Sequence, residues 1–264
     1  MRLARFRTAP SADPRCGEVV GDEVVALADG STVLERLATG DRSPADGERF
    51  ALGAVELLAP HAPRAIYGIG RNYADHAAEL GNEVPAAPIV FAMPPTAAGG
   101  PRDPVRRPAV TERLDYEVEL AIVLGRVAGG GIGAAGYAVA DDVSARDLQE
   151  REGQWARAKG ADGFCPFGPW VTTADEVPDP EALRLRSWVN GELRQDASTA
   201  DLIFGVDALI AHIAAAITLR PGDLILTGTP SGVGHAMTPP VYLQPGDVVR
   251  MEIERLGTIE HAIA

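Results

Sequence analysis

Three carboxylates carry the first chemical possibility in this chain. Asp115-Tyr-Glu117-Val-Glu119 opens an apolar run, Leu120 to Leu124. Alternate side chains of a strand share a face, so Glu117 and Glu119 point the same way about 7 Å apart. Two carboxylates leading into a buried strand repel each other and are costly to take out of water. A hard cation between them removes that cost, and oxygen-only ligands favour Mg²⁺, Mn²⁺ or Ca²⁺. The plain alternative is a solvated strand end. A second apolar stretch, at Val139-Ala140, ends in Asp141-Asp142 just before a helix. Ser144 and Asp147 have the spacing of a capping box there, which makes Asp147 a structural cap and leaves Asp142 as third candidate ligand. The alternative makes both Asp141 and Asp142 surface turn residues.

Acid–base chemistry has its own candidates. Asn72-Tyr-Ala-Asp-His76-Ala-Ala-Glu79 reads as a short helix over Tyr73–Leu80, stopped by Gly81. The i, i+3 spacing puts His76 and Glu79 on one face. Glu79 can orient the imidazole and raise its basicity, as a general-base dyad requires; an ordinary surface ion pair is the alternative. Gly68, Gly70 and Gly81 flank the helix, so it can move as a lid. Thr227-Gly-Thr229-Pro-Ser-Gly-Val-Gly234 follows an apolar strand, and its hydroxyls and N–H groups suit a substrate carboxylate as well as a plain turn. The 24 basic residues comprise 23 arginines and one lysine, Lys159. Either an arginine-rich composition left one lysine over, or a compact ammonium does something there that a planar guanidinium cannot. The remaining histidines read as structural: His61 in a linker, His212 in a helix, His261 near the C-terminus, and His235 exposed in the glycine-rich loop. Cys16 and Cys165 have neither metal-ligand spacing nor the pattern of a disulfide framework, and read as buried small hydrophobes.

The elements that must position these groups divide the chain at about residue 60. Residues 1–60 read as a small α/β unit with strands at Leu3–Thr8, Glu18–Val20, Glu23–Leu27 and Ala54–Leu58. Thr32 with Glu35 predicts a capped helix ending near Gly40. Ala59–Pro63 reads as a linker. Residues 61–264 are rich in strands: Ala65–Ile69, Ile89–Ala92, Glu117–Leu124, Tyr137–Asp141, Leu185–Val189, Leu224–Thr227 and Val248–Glu254. Asn190-Gly191 has the composition of a two-residue hairpin turn. Besides the helix at His76, helices are expected at Ser144–Ala158 and Val206–Thr218, and a flexible loop at Gly129–Gly136. Many strands with few helices predict a β-rich main domain, a barrel or a rolled mixed sheet.

Composition excludes other classes. The 264 residues are 46% hydrophobic, enough for a sizeable core, and carry a formal net charge of −13. That charge speaks against a nucleic-acid surface, which rests on a basic patch. No apolar run reaches the ~18 residues of a membrane span, and Met1 to Pro14 lacks the apolar core of a signal peptide; a cytoplasmic location is expected.

Together these segments resemble the fumarylacetoacetate hydrolase family, especially its shorter bacterial and mitochondrial members. The resemblance covers roughly residues 64–260. It rests on Tyr67-Gly-Ile-Gly-Arg-Asn-Tyr-Ala-Asp-His76, Asp115-Tyr-Glu-Val-Glu119, Asp142-Val-Ser-Ala-Arg-Asp-Leu-Gln149, Phe164-Cys-Pro-Phe-Gly-Pro169 and Leu226-Thr-Gly-Thr-Pro230. It implies an α+β, β-rich fold: a rolled mixed β-sheet catalytic domain with a small N-terminal α/β domain, as a homodimer. It implies Mg²⁺ or Mn²⁺ on Glu117, Glu119 and Asp142, with Ca²⁺ as a substitute. It maps the family's lysine onto Lys159 and the lid dyad onto His76 and Glu79. Substrate contacts are expected from Arg146, Gln149 and Thr229, and also from Arg71 and Tyr73. The implied activity is C–C bond hydrolysis of a small 2-oxo or 2,4-dioxo acid of acylpyruvate or fumarylpyruvate type, through an enolate. Oxaloacetate decarboxylation or tautomerisation and 2-hydroxy-dienoate isomerisation share that enolate. A non-catalytic, metal-stabilised scaffold is the rival from another class. Two departures from the pattern stand out: Met93 where many relatives carry lysine, and a short, glycine-rich segment between Gly125 and Tyr137.

Overall fold

The apolar run Leu120–Leu124 needs cover on both faces, as only a strand inside a layered fold receives. A computed structural model describes residues 1–264 and places the run in the strand Val118–Arg126, in the interior of a 12-stranded sheet. Leu120, Ile122 and Leu124 enter one core of 31 buried residues. Ala121 and Val123 enter a second core of 16 on the opposite face.

The strand's neighbours are Ile132–Asp141 and Leu224–Leu226, both antiparallel. Leu224–Leu226 then pairs in parallel with Ile66–Gly70, whose other neighbour is the edge strand Ile89–Met93. In the other direction Ile132–Asp141 pairs with Cys165–Thr173, which pairs with Arg2–Arg7. Through Arg2–Arg7 the strands of the first 58 residues join the same sheet, while Ala4, Phe6, Val19, Val24 and Ala26 keep a small core of their own. A separate antiparallel sheet of four strands contributes Leu185, Val249, Met251 and Ile259 to the larger core. The fold is therefore β-rich α+β with a large mixed sheet. The expected roll takes the form of a sheet whose main path ends at Arg49–Ala51 and Ile89–Met93, not one closed on itself.

Local signals set several elements. Thr32 and Glu35 form the complete capping box of the helix Val33–Thr39, and Gly40 ends it in the left-handed region. Other expectations are corrected. The glycine-rich run is not a loop throughout: Gly129–Gly131, with φ of 85° to 92°, make the turn, and the strand Ile132–Asp141 begins directly after it. The small residues are needed inside that strand, because a Cβ on Gly136 would lie 2.6 Å from the Thr172 carbonyl. The single helix expected at Ser144–Ala158 is two short ones, Arg146–Arg151 and Ala156–Lys159, with Gly153 between them. Ser144 does not cap: it pairs across to Asp115 as a short strand, and its hydroxyl donates to the Asp142 carbonyl. Asp147 instead accepts from the Thr111 hydroxyl at 2.6 Å and the Glu112 N–H at 3.0 Å.

The segment expected as a linker is packed into the fold. His61 is buried; its Nε2–H donates to the Gly222 carbonyl at 2.8 Å, and Nδ1 has no partner. Burial disfavours the imidazolium and lowers the His61 pKa from 6.5 to about 4. The unfolded chain therefore binds a proton at this site that the folded chain excludes. Stability from this group is complete above pH 6.5 and falls as pH drops toward 4. We expect the wild-type protein to lose about 2 to 3 kcal/mol more over that interval than His61→Gln, measured by urea denaturation across pH. Equal losses would remove His61 from the acid response.

Candidate active site

The metal-ligand candidates converge. Glu117 precedes the strand Val118–Arg126, Glu119 is its second residue, and Asp142 follows the adjacent strand Ile132–Asp141. Ligand oxygens of the three lie within 4.8 Å of one another, and all three side chains are buried. Asp141, beside them, points elsewhere: it accepts from the Glu117 N–H at 2.9 Å and from His261 Nε2 at 2.9 Å. His261, read as structural, thus holds the backbone of one candidate ligand through Asp141. No sequence motif signalled this, because the pair is 120 residues apart.

Two cations serve this group. Lys159 Nζ donates to Glu117 Oε2 at 2.6 Å and to Asp142 Oδ2 at 2.7 Å. Arg146 Nε donates to Asp115 Oδ2 at 2.9 Å, and its Nη2 lies 2.6 Å from Glu117 Oε1. Burial opposes the Glu117 carboxylate, but Lys159 and Arg146 hold its pKa down at about 2. For Asp142 burial prevails over the help from Lys159, and the carboxyl is pushed up to about 7. Glu119 is raised well above the ordinary range, first by burial, then by Asp142 and Glu117. Lys159 is opposed by burial, yet Asp142 and Glu117 keep its pKa above the usual lysine value.

A divalent cation fits these residues. Apart from Asp141, which is paired with His261, four buried carboxyl groups (Asp115, Glu117, Glu119 and Asp142) accompany two buried cations, so a divalent ion would balance the charge when all four are ionised. Asp142 Oδ1 is buried without a hydrogen-bond partner, and the neighbouring Glu119 receives only the Gly228 N–H, at 2.6 Å. Both carboxylates therefore have ligand capacity to spare. The all-oxygen donor set matches Mg²⁺ or Mn²⁺.

One loop ties the rest together. Gly228, at φ 98°, brings its N–H to Glu119, and a Cβ there would lie 2.7 Å from that of Asn72. The Thr229 hydroxyl donates to the Val118 carbonyl at 3.0 Å and accepts from Gln195 Nε2 at 2.8 Å. Gly232 N–H donates to Glu79 Oε2 at 3.1 Å, and Glu79 Oε1 holds His76 Nδ1 at 2.7 Å. Gly234 and His235 donate their N–H groups to Asp115 at 2.9 and 3.0 Å. Gln195 is a second residue the sequence did not flag: buried, it accepts from the Val118 N–H and donates to Thr229 and the Pro230 carbonyl.

A cavity of about 390 Å³ opens at this centre, with Glu79 behind its wall, in contact with His76. Its lining brings together His76, Lys159, the three carboxylates, Arg71, Arg146, Gln149 and Thr229, with Ile69, Leu80, Phe91 and Trp155 as apolar wall. Tyr73 is not part of the lining; its ring is buried and its hydroxyl has no partner. Arg146 is engaged by Asp115, Glu117 and Gln149, whereas Arg71, just before the helix Ala74–Glu79, makes no ion pair. Met93, flagged in the sequence as a departure from the family pattern, is buried in the second core and does not line this cavity. His235, expected to be exposed, lines the cavity.

The protein is thus a β-rich α+β fold with a buried acidic, all-oxygen centre, fit for a divalent metal, beside a His–Glu pair. A family model, fumarylacetoacetate (FAA) hydrolase C-terminal, matches residues 65–264, and the chain belongs to the fumarylacetoacetate hydrolase family. It is 39% identical to the mitochondrial oxaloacetate tautomerase fahd2 of Xenopus laevis, over 100% of this chain and 90% of that one. Among solved structures it is similar to the fumarylacetoacetate hydrolase of psychrophilic Exiguobacterium antarcticum, with 36% identity, a TM-score of 0.88, and 100% and 99% of the two chains covered. It is also similar to the 2-hydroxyhepta-2,4-diene-1,7-dioate isomerase of Mycobacterium marinum, with 37% identity, a TM-score of 0.82, and 100% and 98% covered.

Proposed function

We propose that the protein interconverts the keto and enol forms of a small 2-oxo acid of the oxaloacetate type, with a divalent cation on Glu117, Glu119 and Asp142. The observation that carries this reading is the convergence of a buried lysine, a paired imidazole and the acidic cluster on one cavity of about 390 Å³, a size for a short oxo acid. The likeness to an oxaloacetate tautomerase, over 90% of that protein, supports the choice of reaction.

When bound, the cation supplies Lewis-acid stabilisation of negative charge on the substrate's oxygens. The chain's own residues supply the rest. His76 Nδ1 is held by Glu79, which leaves Nε2 to take a proton from the carbon next to the ketone and to return it. Glu79 fixes the tautomer and favours the imidazolium that forms. Lys159 keeps a positive charge beside the ligand oxygens of Glu117 and Asp142, where charge builds on the substrate. The apolar wall of Ile69, Leu80, Phe91 and Trp155 limits water around the reacting carbon. A non-catalytic scaffold has no use for a buried cation and an oriented base in the same cavity.

Hydrolysis of a C–C bond in a 2,4-dioxo acid is the second reading. The same His76–Glu79 pair suits activation of a water, and the Exiguobacterium antarcticum relative is named for a hydrolase. A panel of substrates decides between them. Full-length protein with Mn²⁺ is mixed with enol-oxaloacetate, acetylpyruvate and fumarylpyruvate, and ultraviolet absorbance is followed. The proposal expects fast enol–keto exchange of oxaloacetate and slow or no cleavage of the other two. Rapid cleavage with no effect on oxaloacetate exchange would replace it with the hydrolase reading.

A further inference from the structure

The cavity holds a second imidazole that the proposed reaction does not use. His235 lies on its wall beside Gln149 and Glu150. Its backbone is fixed: its own N–H and that of Gly234 both donate to Asp115, the carboxylate that also holds Arg146. Its ring is fixed as well. Nδ1 is hydrogen-bonded to the Tyr242 hydroxyl at 2.9 Å, and Nε2 faces Glu150 Oε1 at 3.5 Å. Glu150 and Tyr242 are themselves linked, since Arg113 pairs with Glu150 at 3.1 Å and lies 5.9 Å over the Tyr242 ring. Two side chains thus reach the imidazole, Arg113 ties them together, and Asp115 holds the backbone, more support than a solvent-facing histidine needs.

The tautomer follows from this surrounding. Nε2 beside a carboxylate is best placed as a donor, so the Tyr242 hydroxyl donates to Nδ1 and the Nε2–H faces outward from the ring. The donors nearest the acidic centre are engaged: Arg146 with Asp115, Glu117 and Gln149, Lys159 with Glu117 and Asp142, and the Thr229 hydroxyl with Val118; besides His235, Arg71, just before the helix that carries His76, is a cavity donor without an ion pair. A 2-oxo acid whose carboxylate and ketone lie at the acidic centre extends its remaining chain along the wall. We infer that His235, oriented by Tyr242, is a specificity-determining residue that donates to an oxygen on the substrate's far end. The substrate class is therefore a 2-oxo acid with a second oxygen acceptor, a distal carboxylate or ketone, in preference to one with a plain alkyl tail. This inference rests on the reading proposed above for the location of the reacting end.

The test measures dissociation constants of three ligands by calorimetry, using full-length protein loaded with Mn²⁺. Oxalate has no distal oxygen, oxaloacetate has a distal carboxylate, and acetylpyruvate has a distal ketone. His235→Phe keeps a ring beside Tyr242 and removes the donor, while His235→Gln keeps an N–H. The Phe variant should bind oxaloacetate, acetylpyruvate or both roughly tenfold more weakly than wild type, with oxalate unchanged, and the Gln variant should recover most of the loss. A loss confined to oxaloacetate identifies the distal group as a carboxylate, and one confined to acetylpyruvate identifies a ketone. Should the Phe variant fail to fold, Tyr242→Phe removes only the orienting hydroxyl and should show the same ligand pattern at a several-fold level. Equal weakening of all three ligands makes His235 structural, and unchanged affinities remove it from the site; either overturns the inference. A wild-type protein that binds oxalate and neither longer ligand overturns it too. Tight binding of oxaloacetate without faster exchange contradicts the proposed reaction and leaves this contact standing.

Discussion

Lys159→Met is expected to lower turnover by about 10² to 10³, the loss that follows deletion of an oxyanion-stabilising donor in other enzymes. The structure explains the size of the effect. Lys159 Nζ bridges Glu117 and Asp142, and its side chain is 3% exposed. Removing the ammonium leaves two buried carboxylates facing each other, a change that costs about 3 to 5 kcal/mol when a buried pair is broken. The Met variant should therefore unfold more easily than wild type in the absence of metal, and excess Mn²⁺ should restore much of the difference. Lys159→Arg separates charge from shape. The guanidinium keeps the charge but is larger and planar, in a space bounded by two carboxylates and the Phe91 ring 5.6 Å from Nζ. It should fold, bind metal and lose most of its turnover. Near-full turnover in the Arg variant at saturating metal and substrate would reduce Lys159 to a generic charge.

His76→Ala should lower turnover by about 10² to 10⁴, the usual span for loss of a general acid or base. Its affinity for Mn²⁺ should change little, because His76 stands outside the carboxylate cluster. Glu79→Gln should cost less than His76→Ala. The glutamine amide still offers a carbonyl oxygen to His76 Nδ1, but it no longer favours the imidazolium. Steady-state rates for oxaloacetate exchange and Mn²⁺ titrations on the same preparations separate these effects. Unchanged rates in His76→Ala would remove the imidazole from the proton path. A large loss of Mn²⁺ affinity would instead show that His76 shapes the acidic centre.

Local patterns made parts of this molecule legible from the sequence. The i, i+2 spacing of Glu117 and Glu119, the i, i+3 spacing of His76 and Glu79, and the capping box at Thr32 each act over one turn or two strand residues, and the structure places those side chains together. The lone lysine was legible by its type alone. What stayed hidden depends on distant pairing. His261 reaches Asp141, and Gln195 reaches Val118 and Thr229, only after the four-stranded sheet has packed on the larger one. His61 lies among prolines and alanines that read as a linker, yet tertiary packing buries it. The strand Cys165–Thr173 was obscured by Pro166 and Pro169, which weaken any strand pattern, although it joins the N-terminal strands to the main sheet. His235 sits in a loop whose glycines suggested exposure; the N–H bonds to Asp115 that pull it against the cavity cross more than a hundred residues.

The central claim is that Glu117, Glu119 and Asp142 hold one divalent cation and that turnover depends on it. The direct measurement is a titration of chelator-treated protein with Mn²⁺, following bound ion and the rate of enol-oxaloacetate conversion in the same samples. The expected result is a negligible rate without metal, a rise in step with occupancy, and saturation at about one ion per chain. Glu119→Gln, folded by circular dichroism, should need far more Mn²⁺ to reach any rate. Metal-free protein that converts oxaloacetate at the full rate would contradict the claim.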